Sequence, residues 1–189
     1  VRPRQEKFTL AFDLAPITLR EMGLKQKSKG STFSFVSSLI QYYADENFKA
    51  VAFDSVAMGV FRQAPELHHV KALRRQYDAQ VEKFGDNIYY INIVVEGVPK
   101  FSSEVRAALD ELVQYTVANR AAANIVLTPG ITGVAIRTFL ATLKLVSRSS
   151  NEEKTFSDFE DAARWLKSHG VNQVWTADQL KAALVEAAT

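Results

Sequence analysis

Apolar positions in this chain follow two periods and switch between them repeatedly. FTLAFDL (8–14) alternates: Phe8, Leu10, Phe12 and Leu14 point one way, and Thr9, Ala11 and Asp13 the other. That period of two predicts a short strand with one buried face, ended by Pro16. GLKQKSKGS (23–31) is polar, basic and glycine-bounded, the composition of a loop. Phe33, Val36, Ile40 and Tyr43 recur at spacings of three and four, which predicts a helix over about 32–45 capped by Ser31 or Thr32.

From residue 48 the switching becomes regular. FKAVAFD (48–54) and VAMGVFRQ (56–63) are β runs with almost nothing between them, the pattern of a hairpin. Pro65 suits the first turn of a helix over 66–84, whose apolar stripe is Leu67, Val70, Leu73, Tyr77, Val81 and Phe84 and whose stop is Gly85. IYYINIVVE (88–96) reads as a strand buried on both faces. A helix over 102–119, a strand at NIVLT (124–128) and a helix over 133–147 follow. KTF (154–156) is a weaker strand, and helices over 158–169 and 176–188 close the chain. The order β-β-α-β-α-β-α-β-α predicts an α/β fold: a mixed, mostly parallel sheet flanked by helices, with right-handed crossovers and an antiparallel edge from the hairpin.

Composition narrows the function classes. The 189 residues are 47% hydrophobic and 23% charged, as in ordinary globular proteins, and no run approaches the ~20 apolar residues of a membrane span. Residues 1–30 lack an apolar leader segment. The absence of cysteine excludes disulfides, thiolate metal sites and cysteine nucleophiles, and suits the cytoplasm. Net charge is +2, but residues 1–30 hold seven Lys/Arg against three acids. The basic character therefore belongs to an N-terminal arm. It is either a solvated tail or a dock for an acidic partner, and without interleaved aromatics it does not indicate nucleic acid.

Three stretches carry a family likeness: VVEGVPKFSSEVRAALDEL (94–112), NIVLTPGITGVAIRTFLATLKLV (124–146) and FSDFEDAARWL (156–166). With their element order, they make the span of about 48–170 resemble STAS domains, the fold of bacterial anti-sigma-factor antagonists, in a divergent proteobacterial and myxobacterial branch. The resemblance implies a STAS-like domain (46–170); charge and periodicity add a basic N-terminal extension (1–45) before it and a C-terminal helix (171–189) expected to pack on it. In that family a serine in an Asp-Ser pair after the third strand is phosphorylated by a partner kinase. Ser102 and Ser103 fall at the corresponding place, with Phe101 where the aspartate stands.

Read from the residues, Ser102 and Ser103 are helix caps, with Glu104 suiting the helix dipole, or an anion or phosphate site at the same helix start. TPGITG (128–133) is the second strand-to-helix loop: Thr128, Gly130, Thr132 and Gly133 form a tight turn with Thr132 as cap, or a loop that lets a ligand approach. Both loops are expected at the carboxyl end of the parallel strands. His68 and His69 are adjacent, so their rings are expected to diverge on a helix, and no metal site or cofactor is indicated. His169 suits a helix C-terminus. No G-x-S-x-G elbow or ordered Ser, His and acid is present, so no catalytic residue is assigned. The expectation is a non-enzymatic regulatory or scaffolding module that binds a protein partner or forms a homodimer. The alternative is a binder of a nucleotide or lipid, using loops 97–104 and 128–133 and a hollow lined by Phe101, Ile131 and Phe139.

Overall fold

The structure is a computed structural model. It describes residues 39–96, 102–116, 121–147, 152–170 and 175–189, with backbone alone at 142–147. The chain divides into two compact units, Val1–Ser34 and Phe35–Thr189. The first lies outside the described residues, and with it the strand expected at 8–14 and the loop at 23–31.

The second unit is a mixed α/β fold. Six strands, β1 (Ile40–Ala44), β2 (Phe48–Phe53), β3 (Val56–Phe61), β4 (Tyr89–Val94), β5 (Ala121–Val126) and β6 (Glu152–Phe156), lie side by side in chain order. β1, β2 and β3 pair antiparallel, and β3 to β6 pair parallel. The crossovers are α1 (Leu67–Phe84), α2 (Ser103–Tyr115) and α3 (Gly130–Ser147); α4 (Phe159–Ser168) and α5 (Ala177–Ala188) follow the last strand. Three successive crossovers advance in one direction, so right-handed connections put all three helices on one face of the sheet. α4 and α5 pack on the other. Among the described residues the strand order never reverses, so these six strands form no switch-point crevice of the kind that holds ligands in doubly wound sheets.

Period two sorts the side chains between these layers. Val56, Met58 and Val60 of β3, with Tyr89, Ile91 and Ile93 of β4, face α4 and α5. Phe48 and Ala50 of β2 pack against Val70 and Leu73 of α1 and Val105 and Leu112 of α2. The turn between β2 and β3 is two residues long, with Asp54 at φ +52, a left-handed position that aspartate tolerates. Asp54 also accepts from Trp175 Nε1 at 2.9 Å, which ties this turn to the segment before α5.

The hairpin and the three later strands stand where the periodicity puts them, with β5 starting at Ala121 rather than 124 and α3 at Gly130 rather than 133. One element differs in kind. The helix expected over 32–45 is not helical at its described end, because Ile40–Ala44 is the edge strand β1. The register against β2 slips between Gln41 and Tyr43. That bulge lets Tyr42 and Tyr43 both pack toward α1, which erases the alternation that marks a strand and mimics helical spacing. The sheet therefore begins before residue 46. Among the described residues no helix is long and apolar enough to cross a membrane.

Candidate functional site at the carboxyl-side rim

Parallel strands bring helix starts to one edge. β3, β4 and β5 end at the same rim, so α1, α2 and α3 all begin there. β1 runs parallel to β3 through two antiparallel steps, so its last residues reach the rim too. The serine and glycine loops thus share one edge, as expected.

Ser102 is the N-cap of α2: its Oγ accepts from Val105 N–H at 3.1 Å, leaving one fewer free donor in the first turn. Ser103 is the first helical residue, and both serines are exposed. Phe101 lies outside the described residues. In the next loop Thr132 is not a cap, because α3 already begins at Gly130. Gly130 sits at φ +67, a conformation that glycine adopts without strain. Gly133 is held for another reason: a Cβ there would lie 1.9 Å from the Thr128 carbonyl oxygen. Thr128 Oγ1 donates to Val95 O at 3.4 Å. The glycines thus serve close backbone packing and a turn. Ile131, expected to line a hollow, is instead 90% exposed.

At the start of α1 the rim carries a cluster that adjacency in sequence argued against. His68 and His69 do converge, with ring centroids 4.0 Å apart, and the ligand atoms of Asp45, His68 and His69 lie within 4.8 Å of one another. The rings meet because a third group from the β1–β2 turn draws both: Asp45 Oδ2 is 2.8 Å from His69 Nε2 and 3.5 Å from His68 Nε2. Hydrogen bonding assigns the His69 tautomer. Glu66 N–H donates to Nδ1 at 3.0 Å, so in neutral His69 the proton is on Nε2 and goes to Asp45. While those bonds stand, His69 has no lone pair for a metal ion, which leaves only His68 and Asp45. Asp45 also accepts from Tyr43 Oη and from Asn47 and Phe48 N–H, each at 2.8 Å. Burial alone would raise its pKa, but the bonds from His69, Tyr43 and the two amides outweigh it and hold the carboxyl well below the usual carboxylate range. The same bond to Asp45 pushes the Tyr43 hydroxyl up. This is a saturated carboxylate that pins α1 to the β1–β2 turn.

A second constellation has the members of a hydrolytic triad, at the opposite edge. Ser168 Oγ lies 3.1 Å from His169 Nδ1, and His169 Nε2 lies 3.0 Å from Glu152 Oε1. Yet Ser168 donates its proton to Trp165 O at 2.7 Å, and His169 Nδ1 also faces that carbonyl, at 2.8 Å. The histidine is therefore not placed to take the serine proton. The group closes the C-terminus of α4, the place expected for His169.

The rim also contains a hollow of about 130 Å³ at the ends of β3 and β4, between α2 and α3. Its apolar walls are Phe61, Pro65, Val94, Leu109, Val113, Ile136 and Leu140. Phe139, named for this role from the sequence, does not line it; the Arg106 guanidinium stands 5.8 Å from its ring centroid. Asn92 is the polar group of the floor, while Gln63 and Glu96 are exposed at the edge. Asn92 donates through Nδ2 to Asn124 Oδ1 at 2.9 Å, and Asn124 donates through Nδ2 to Glu153 Oε1 at 2.6 Å. A carboxylate only accepts, so Glu153 fixes the orientation of Asn124, and Asn124 fixes that of Asn92.

No family model, curated protein or solved structure matches the chain.

The functional reading of the rim therefore rests on its own geometry. Asn92 and Asn124 are the residues that sequence reasoning passed over. Their signal was a polar side chain in the middle of an apolar β run, once in YYINIV and once in AAANIV. Such a residue must find a partner inside the fold.

Proposed function

We propose that this chain is a non-catalytic recognition module of STAS-like type, which binds a protein partner or a second copy of itself through the carboxyl-side rim. The observation that carries the reading is the hollow between α2 and α3. At about 130 Å³ it is well below the roughly 300–1,000 Å³ of pockets that enclose drug-sized ligands. It is close to the roughly 150 Å³ apolar cavity that holds a benzene ring. That size suits one anchoring side chain of a partner, the kind of buried contact that dominates protein interfaces. It favours neither a nucleotide nor a lipid chain. Ile131 (90% exposed) and Val134 (56% exposed) on α3 add apolar surface of the sort interfaces cover. The cysteine-free composition agrees with a cytoplasmic setting. The exposed serines at the start of α2 stand where a phosphate would meet the helix dipole, and Glu104 beside them would oppose it.

Native mass spectrometry of the protein purified from its own host tests this reading. A retained polypeptide, foreign or a second copy, that is lost in Val113→Asp supports it. A retained nucleotide or lipid, or a bare monomer at every concentration, overturns it.

A further inference from the structure

We infer that the hollow between α2 and α3 is a socket for a tyrosine side chain of the partner, with the Asn92 carboxamide oxygen as the acceptor of its hydroxyl; the inference rests on the recognition reading above. Seven apolar residues make the walls, so the space favours an uncharged ring. Its volume of about 130 Å³ is that of a single ring rather than an extended ligand.

The floor supplies the chemical selection. Glu153 is on β6 and accepts from Asn124. Asn124, 2% exposed, must then turn its oxygen toward Asn92, whose Nδ2 donates to it. Asn92 has thus committed its amide end to the sheet. Its oxygen has no protein donor among the described residues, and Asn92 lines the hollow. An acceptor held in an apolar socket discriminates by what it lacks. A bare phenyl ring leaves the oxygen desolvated and unpaired, whereas a phenol donates to it. Phenylalanine and leucine are therefore poor anchors here. Lysine and arginine would bring an unpaired charge against the walls.

The relay also explains why an asparagine occupies this place in β4. In the register Asn92 is opposite Asn124 on one side and Gly59 on the other. Gly59 has no side chain to compete for the Asn92 oxygen. A Cβ there would already crowd the Leu73 methyl at 3.0 Å.

The test uses the full chain with p-cresol, the tyrosine side-chain analogue, and toluene, the phenylalanine analogue, followed by methyl NMR. The expected result is saturable shifts at the Leu109, Val113, Ile136 and Leu140 methyls, with p-cresol bound at least about tenfold more tightly than toluene, a difference of ~1.4 kcal/mol. Asn92→Ala should abolish the preference while toluene still binds. If that variant does not fold, Val113→Trp, altered at a half-exposed wall position, should block both probes. Toluene binding as tightly as p-cresol, shifts confined to other residues, or no saturation by either probe overturns the socket. Native mass spectrometry separates the failures. A retained partner with no p-cresol site refutes the socket alone, and no retained partner refutes the recognition reading whatever p-cresol does. A small phenol retained from the host in place of a polypeptide refutes tyrosine as the source.

Discussion

Asn92 and Asn124 stand opposite each other on adjacent parallel strands and join through a 2.9 Å hydrogen bond between the runs YYINIV and AAANIV. Each depends on the other for satisfaction, so their effects should not add. Asn124→Ala strands the Asn92 amide and should destabilise by about 1–3 kcal/mol. The Asn92→Ala, Asn124→Ala double variant should lose less than the sum of the two, by about 0.5 kcal/mol or more. Urea denaturation of the four proteins measures this directly, and strict additivity would show that the bond contributes nothing.

Asp45 should make stability depend on acid pH. Its folded pKa is depressed, so its contribution is complete above the unfolded aspartate value of about 3.9 and drains away as the pH falls through the folded value. Asp45→Asn should therefore be less stable than the wild type at pH 7, by about 1.5–3 kcal/mol. The gap should begin to narrow below about pH 4, where Asp45 of the unfolded wild type takes up a proton that the folded carboxylate refuses. Thermal melts of both proteins between pH 3 and pH 7 read the convergence. A constant gap across that range would mean that the charge is not what Asp45 provides.

The two rim glycines should fail differently. Gly133→Ala places a methyl against the Thr128 carbonyl and should cost about 3 kcal/mol, since backbone must move. Gly130→Ala meets open space and carries only the left-handed penalty of about 1–2 kcal/mol. Comparable denaturation midpoints for the two variants would refute the close-approach account.

Tyr90 carries a buried hydroxyl with no hydrogen-bond partner among the described residues, and burial pushes its pKa up. Tyr90→Phe removes that unpaired group and keeps the ring that packs between α1 and the sheet. The variant should be as stable as the wild type or more so, by up to about 1 kcal/mol. A clear loss in calorimetry would reveal a partner for the hydroxyl.

Capping and phosphorylation at the start of α2 are separable. Ser102→Ala should cost about 1 kcal/mol through the lost bond to Val105 N–H, whereas Ser103→Ala should change stability little. Chemical denaturation gives both values. Equal losses would move the cap away from Ser102.

The chain's linear order was enough to determine the alternation of strands and helices from residue 48 onward, the hairpin, and the rim shared by the serine and glycine loops. These features follow from needs that neighbouring residues satisfy. Apolar periodicity selects the element, Ser102 caps the turn that follows it, and parallel crossovers force helix starts to one edge. Tertiary structure alone decided three things. β1 is a strand because β2 offers it an edge, and its bulge hid that from periodicity. His68 and His69 converge because Asp45 of the β1–β2 turn, 23 and 24 residues earlier in the chain, draws both rings. The hollow and its oriented asparagine exist because register sets Asn92 beside Asn124 and within reach of a chain of donors ending at Glu153. Register and lateral pairing are sums over segments far apart in sequence, so no short stretch contains them.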